Sequence, residues 1–239
     1  MTQLSPANAE RLKLAFQRCR DMEGTLSERL QAYAGAGRDI FPAYSEAVDR
    51  LVVRLKENGG GENAPRPGEI MPPFMLPDEA GRLVTLDSLI SQGPLVVMFY
   101  RGHWCPYCRL NVSAVIKAQD RIAALGGQLV AIMPETQKYT QRFKSDVGAP
   151  FPVLTDLDNG YALSLNLAIW VGTEIQQLLS YLDISNFHGG DDWMLPIPAT
   201  FVVDRDGLVR ARFVDPDFRS RMEIDDLIVA VRNTSEGRW

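Results

Sequence analysis

The sequence predicts an α/β fold, and three features predict it. Two short, unbroken apolar runs, Leu95-Val96-Val97-Met98-Phe99-Tyr100 and residues 129–133, have the pattern of strands buried on both faces. Each is followed by a segment of helical character, over residues 106–125 and 136–147. Strands alternating with helices imply a parallel-rich sheet covered on both sides, because a parallel crossover needs a helix to carry the chain back.

The individual elements follow from local chemistry. The first apolar run is bounded by Gly93-Pro94 and Gly102, and the helix after it should stop at Gly126-Gly127, the usual position of a C-terminal glycine. Ala199-Thr200-Phe201-Val202-Val203 and Leu208-Val209-Arg210-Ala211-Arg212-Phe213-Val214 flank Asp206-Gly207 and read as a hairpin. Phe218, Asp215 and Asp217 around Pro216 read as a turn, and a last helix is expected over residues 220–233.

Ahead of the sheet, Ser5-Pro6 supplies an N-cap and a first-turn proline. Leu12, Ala15, Phe16 and Cys19 then repeat at helical spacing, which makes Cys19 a core residue. Tyr44, Val48, Leu51, Val52 and Leu55 mark a second helix over residues 43–57. Residues 1–57 are therefore expected to form an extension of two helices. Residues 58–68, rich in Gly, Pro and polar side chains, are expected to link it to a main domain over residues 69–239. The extension suits either a cover on the main domain's flank or a homodimer surface. Trp170 and Trp193 lie in the stretch 160–195, which fits an insertion over the active site or plain core packing equally well.

Composition narrows the function classes. The chain has 239 residues, 46% of them hydrophobic and 23% charged, enough for a full core in a globular protein. A formal charge of -5 without local Lys/Arg runs argues against nucleic acid and anionic membrane as partners. No apolar stretch approaches bilayer length, and Met1-Thr2-Gln3-Leu4-Ser5-Pro6 lacks the pattern of an export signal, so the expected compartment is the cytoplasm. Three cysteines in such a chain suggest chemistry rather than a disulfide framework.

Cys105 and Cys108 in Trp104-Cys105-Pro106-Tyr107-Cys108 are the candidate catalytic pair. They follow the central strand at once, and Pro106 at a helix start puts Cys105 on that helix's first turn. A helix N-terminus carries unpaired N–H groups and partial positive charge, which favour a thiolate. The first thiol of such a motif has a pKa lowered from about 8.5 to roughly 3.5–7.5. Cys108 shares a helical face with Val112 and Val115 and should be the more enclosed, resolving thiol. Arg101, His103 and Arg109 are candidates for tuning the thiolate, although Arg109 also suits a solvated helix position and His103 a loop. Trp104 and Tyr107 offer flat walls to a substrate. A zinc site on Cys105, Cys108 and His103 or His188 is the remote alternative, since zinc prefers ligands in fours and these lack ligand-pair spacing. No metal and no cofactor are expected.

Trp104-Cys105-Pro106-Tyr107-Cys108 resembles the active-site turn of thioredoxins and glutaredoxins. The segment from Phe99 to Cys108 resembles the peroxiredoxin-like branch of the alkyl hydroperoxide reductase/thiol-specific antioxidant (AhpC/TSA) family. Pro73-Phe74-Met75-Leu76-Pro77-Asp78, Ala131-Ile132-Met133-Pro134-Glu135-Thr136, Pro196-Ile197-Pro198-Ala199-Thr200-Phe201 and Val214-Asp215-Pro216-Asp217-Phe218 stand in that family's order. The likeness covers about residues 67–232. It implies a thioredoxin-like fold with a central mixed sheet, and a cis bond before Pro198 that places this proline beside the disulfide, where with Trp104, Pro106 and Tyr107 it would position substrate.

The sequence departs from the family at the reacting centre. Aligned on Phe99-Tyr100, Arg101 stands where typical peroxiredoxins carry proline, Cys105 where they carry threonine or serine, and Cys108 at their attacking cysteine; their second arginine falls on Pro198. Two registers therefore compete for the attacker, Cys105 by thioredoxin likeness and Cys108 by peroxiredoxin likeness, with the helix-terminus argument on the side of Cys105. The resemblance implies an antioxidant thiol oxidoreductase that reduces hydroperoxides with electrons from thioredoxin or glutathione. The alternatives are a disulfide reductase acting by exchange, and a partner-binding module in which the N-terminal helices do the work.

Overall fold

The computed structural model describes residues 4–238. Met1-Thr2-Gln3, the start of the segment tested above for an export signal, lies outside them.

Three helices come first: α1 (Pro6–Asp21), α2 (Leu26–Ile40) and α3 (Pro42–Glu57). The hairpin β1 (Met75–Pro77) and β2 (Leu83–Thr85) leads through α4 (Leu86–Ile90) into β3 (Leu95–Phe99). Then follow α5 (Pro106–Ala123), β4 (Gln128–Met133), α6 (Gln137–Val147) and β5 (Val153–Thr155). A region of short elements comprises α7 (Gly160–Ser164), β6 (Ala168–Trp170), α8 (Thr173–Leu178), α9 (Ile184–His188) and β7 (Met194–Pro196). The hairpin β8 (Ala199–Val203) and β9 (Val209–Val214) and the closing helix α10 (Ile224–Ser235) complete the chain.

The main sheet runs β5-β4-β3-β8-β9. β3, β4 and β5 are parallel, and β8 and β9 return antiparallel, so the sheet is mixed. β3 is buried throughout. Its alternate side chains serve two cores: Val96 and Met98 face the core built with α5 and α10, and Leu95, Val97 and Phe99 face the core built with α4 and α7. α5 ends where the glycines predict, with Gly126 at φ 76°.

The extension contains one helix more than the two expected. α2 opens on a full capping box between Thr25 and Glu28, a signal already present in Thr25-Leu26-Ser27-Glu28. Its first turn is also bound from far along the chain, where Glu223 accepts from Leu26 N (3.2 Å) and Ser27 N (2.6 Å). α1 and α2 pack on α5, and α3 packs on α8. Ala15 and Cys19 of α1, Leu30 and Tyr33 of α2 and Val48 and Leu51 of α3 belong to the same core as α5.

Residues 58–68 lack helix and strand, as their composition predicts, yet they are tied to the sheet edge. The Arg212 guanidinium donates to the Ala64 and Pro65 carbonyls, and Gly68 N donates to Val209 O (2.8 Å). Gly61, at φ 78°, passes so close to β9 that a Cβ would stand 2.7 Å from Val214 Cγ1.

One expectation is corrected. Among the described residues no peptide bond is cis, and the bond before Pro198 is trans. Pro198 is a buried residue between β7 and β8, where Ile197 N still donates to Leu167 O and Ala199 already pairs with Val214. An extended chain running from one sheet into the next needs no reversal, and trans is the default X-Pro form by about 0.5–1 kcal/mol.

Candidate active site

The turn between β3 and α5 builds the site. Gly102 has φ 145°, and a Cβ there would lie 2.5 Å from Trp104 Nε1 and 2.8 Å from Glu135 Oε1, so only glycine lets the chain turn. Glu135, fully buried after β4, holds the turn from beneath: it accepts from His103 N (2.8 Å) and meets His103 Nδ1 at 2.6 Å. The His103 ring stacks on Tyr139 (4.9 Å) with the Phe187 ring edge-on at 4.7 Å. Burial raises the Glu135 carboxyl, and its bonds to His103 work against that rise.

Cys105 then sits at the N-cap of α5 with extended backbone, and Pro106 occupies the first turn. Cys105 N donates to Gly102 O (3.2 Å), and Cys105 O accepts from Arg109 N (3.1 Å). Cys108 is completely buried, with Arg101 N–H 3.4 Å and Arg221 Nη2 3.7 Å from its sulfur. Burial opposes ionisation of Cys105. The Cys108 thiol, which donates to it, and the charges of Arg101 and Arg221 outweigh that penalty and bring it down to about 6. Cys108 moves the other way, pushed up by burial and by the thiolate beside it. The electrostatics thus divide the pair into one ionised and one protonated sulfur.

Arg101 is itself buried, 2% exposed, with its guanidinium 3.8 Å from the centre of the Phe218 ring and 5.1 Å from that of Trp104. Its Nη2 has no hydrogen-bond partner. Of the other tuning candidates, His103 is engaged by Glu135 and the two rings, and Arg109 by His103 O (3.3 Å) and Asp146 (3.4 Å).

Above Cys105 lies a cavity of about 330 Å³. Arg101, Trp104, Cys105, Pro106 and Tyr107 line it from the turn and α5. The three N-terminal helices contribute Phe16, Tyr33 and Tyr44, and the stretch after α8 contributes Leu179, Tyr181 and Leu182. Tyr33 meets Tyr107 edge-on at 5.2 Å, and Tyr107 meets Phe218 at 5.5 Å. Burial raises the Tyr33, Tyr44 and Tyr107 phenols, so these walls are uncharged at neutral pH. Pro198 does not line the cavity.

The model of the AhpC/TSA family matches residues 67–212, more than half of the chain. The chain belongs to the AhpC/TSA family. It is accordingly a thiol-dependent peroxidase or thiol oxidoreductase with a thioredoxin-like α/β fold. Among solved structures it is similar to peroxidoxin BcpB from Mycobacterium tuberculosis, at 21% identity over 70% of this chain and 97% of that one, with a TM-score of 0.55. It is also similar to a cysteine-to-serine mutant of peroxiredoxin 6 from Arenicola marina, at 15% identity over 69% of this chain and 71% of that one, TM-score 0.57. A hypothetical protein from Sinorhizobium meliloti 1021 aligns at 22% identity over 74% of this chain and 87% of that one, TM-score 0.53. No curated protein sequence matches the chain.

Within this AhpC/TSA protein, much of the site comes from outside the family match. Tyr33 and Arg221 belong to no sequence motif or spacing pattern, while Tyr44 is legible only as part of an apolar helix face and Phe218 only as part of the stretch from Val214 to Phe218. Phe218 lies in the expected turn, where Ser220 N donates to Asp217 O (2.9 Å), and its ring is buried against Arg101. Glu135 was visible only as part of the family-like stretch from Ala131 to Thr136. Trp170 is 52% exposed, whereas Trp193 is buried in the main core. Among the described residues no cluster of three His, Cys, Asp or Glu could hold a metal ion, and no helix is long and apolar enough to cross a membrane.

Proposed function

We propose that the protein is an antioxidant enzyme that reduces small hydroperoxides through a Cys105/Cys108 dithiol–disulfide cycle. One juxtaposition carries this reading. A sulfur poised as a thiolate faces an apolar cavity, with a protonated second thiol one helical turn behind it.

The Cys105 thiolate attacks the distal oxygen of the hydroperoxide. The O–O bond breaks, its electron pair leaves on the proximal oxygen, and a proton converts that oxygen to the alcohol. The Cys105 sulfenic acid is then attacked by Cys108, which loses its proton as water departs and the disulfide forms. Thioredoxin or glutathione supplies the two electrons that restore the thiols. Trp104 and Pro106 flank the reacting sulfur, Tyr107 closes the wall behind, and the free guanidinium edge of Arg101 stands ready for charge developing on oxygen.

The cavity falls at the small end of ligand sites, about 300–1,000 Å³, and its apolar walls favour an alkyl or aryl body. Disulfide exchange is the second reading, supported by the placement of Cys105 at a helix start after a strand. Cys105 is only 1% exposed, which favours small disulfides over protein disulfides as the substrates of exchange.

Stopped-flow oxidation of the reduced protein by hydrogen peroxide and cumene hydroperoxide tests the reading, with Cys105→Ser and Cys108→Ser variants beside it. Fast oxidation abolished by Cys105→Ser is expected, with Cys108→Ser still forming a sulfenic acid. Oxidation no faster than that of a free thiol of similar pKa would eliminate the peroxidase and leave exchange.

A further inference from the structure

Arg221 lies between β9 and α10, beyond the family match, and is 5% exposed. Its Nη1 donates to the main-chain carbonyls of Phe218 and Ser220, which anchors the guanidinium group. Its Nη2 reaches Cys108 Sγ at 3.7 Å, while its Nε has no partner. A second donor, Arg101 N–H, reaches the same sulfur at 3.4 Å. Two buried donors therefore converge on the sulfur that stays protonated in the reduced enzyme. Such a cradle suits a charge that arises on Cys108 only during turnover.

We propose that Arg221, with the Arg101 N–H, makes Cys108 the departing sulfur when the Cys105–Cys108 disulfide is reduced, and is thereby a catalytic residue of the reductive half-reaction. This rests on the reading of Cys105 and Cys108 as the redox pair, and not on which oxidant forms the disulfide. A thiolate of an external dithiol enters the cavity and attacks Cys105 Sγ. A new S–S bond forms there, the Cys105–Cys108 bond breaks, and its electron pair goes to Cys108 Sγ. In the disulfide neither sulfur is charged, so the buried guanidinium groups of Arg101 and Arg221 lack a facing thiolate, and departure of Cys108 as an anion restores one. The reductant's second thiol gives its proton to Cys108 and attacks the mixed disulfide, which releases the Cys105 thiolate and the oxidised reductant.

The test uses the full chain carrying Cys19→Ser, with the Cys105–Cys108 disulfide formed beforehand and dithiothreitol as reductant. Arg221→Gln is expected to slow reduction about 10–100-fold, the worth of a charge-assisted bond, and Arg221→Lys to recover most of the loss. Acid quench early in reduction, followed by alkylation and mass spectrometry, should mark Cys108 and leave Cys105 in the mixed disulfide. Unchanged reduction in a folded Arg221→Gln variant would overturn the proposal. So would early alkylation at Cys105 in the parent protein, a result that does not depend on how any Arg221 variant folds. Because dithiothreitol acts on a preformed disulfide, failure of the hydroperoxide assay bears on the peroxidase reading and not on this one.

Discussion

Cys105 and Gly102 show how single residues set the chemistry. The Cys105 thiolate is held down to about 6 against the cost of burial, so reaction with iodoacetamide should climb about tenfold per pH unit below that value and level off above it. Arg101→Met removes one of the two cations responsible and should move the rise to higher pH, measured by thiolate absorbance at about 240 nm. An unmoved midpoint would mean that Arg101 takes no part and that the Cys108 thiol and Arg221 hold the thiolate without it. Gly102→Ala forces a side chain at φ 145° into Trp104 and Glu135 and should destabilise the protein by about 1–3 kcal/mol in urea unfolding, with loss of thiol reactivity. The pair Cys105/Cys108 was legible in the sequence because a C-x-x-C after a strand is a local pattern. The arginine that reaches Cys108 was not, because Arg221 is 113 residues away along the chain.

Among the elements, α9 carries a conditional weakness. Its last residue, His188, is 3% exposed, both ring nitrogens lack partners, and burial first, then the charges of Arg101 and His103, lower its pKa to about 4. The unfolded chain, with an ordinary histidine pKa of about 6.5, binds the proton between these values and the folded protein does not. Stability from this group is therefore full at neutral pH and falls as the pH drops from about 6.5 to 4. Between pH 7 and 5 the loss should be about 2 kcal/mol, and His188→Asn should remove that part of the dependence when urea midpoints are compared at the two pH values. Equal slopes in the two proteins would refute the assignment. The helices α5 and α6 were readable because capping residues and glycine stops are local. The short elements between β5 and β8 were not, since α8 and α9 are too brief for periodicity and are held by tertiary contacts.

At the scale of the whole molecule, the N-terminal helices and the sheet form one core rather than two. α1 to α3 share apolar contacts with α5, Glu223 caps α2, Arg219 joins Asp49 of α3 (2.8 Å), and residues 64–71 run along β9. Urea unfolding followed by tryptophan fluorescence and by far-UV circular dichroism should therefore give coincident single transitions. An early transition confined to helix would mean that residues 1–57 fold separately. Closure of the cavity depends on the same union, because Phe16, Tyr33 and Tyr44 come from the extension. Tyr33→Ala should widen the cavity and weaken discrimination between cumene hydroperoxide and hydrogen peroxide, read as the ratio of their second-order rate constants.

The sequence by itself determined the α/β class, the central strands, the hairpin with its glycine turn, the helix that starts at Pro106 and the pair of cysteines at its N-terminus. All of these are written in contiguous residues, where periodicity, capping and turn chemistry act. Only the tertiary structure decided which charges face the sulfurs, that the bond before Pro198 is trans, and that the extension covers the site. Ionisation of a buried thiol and the shape of a cavity depend on groups brought within a few ångströms from distant parts of the chain, and that proximity has no local signature.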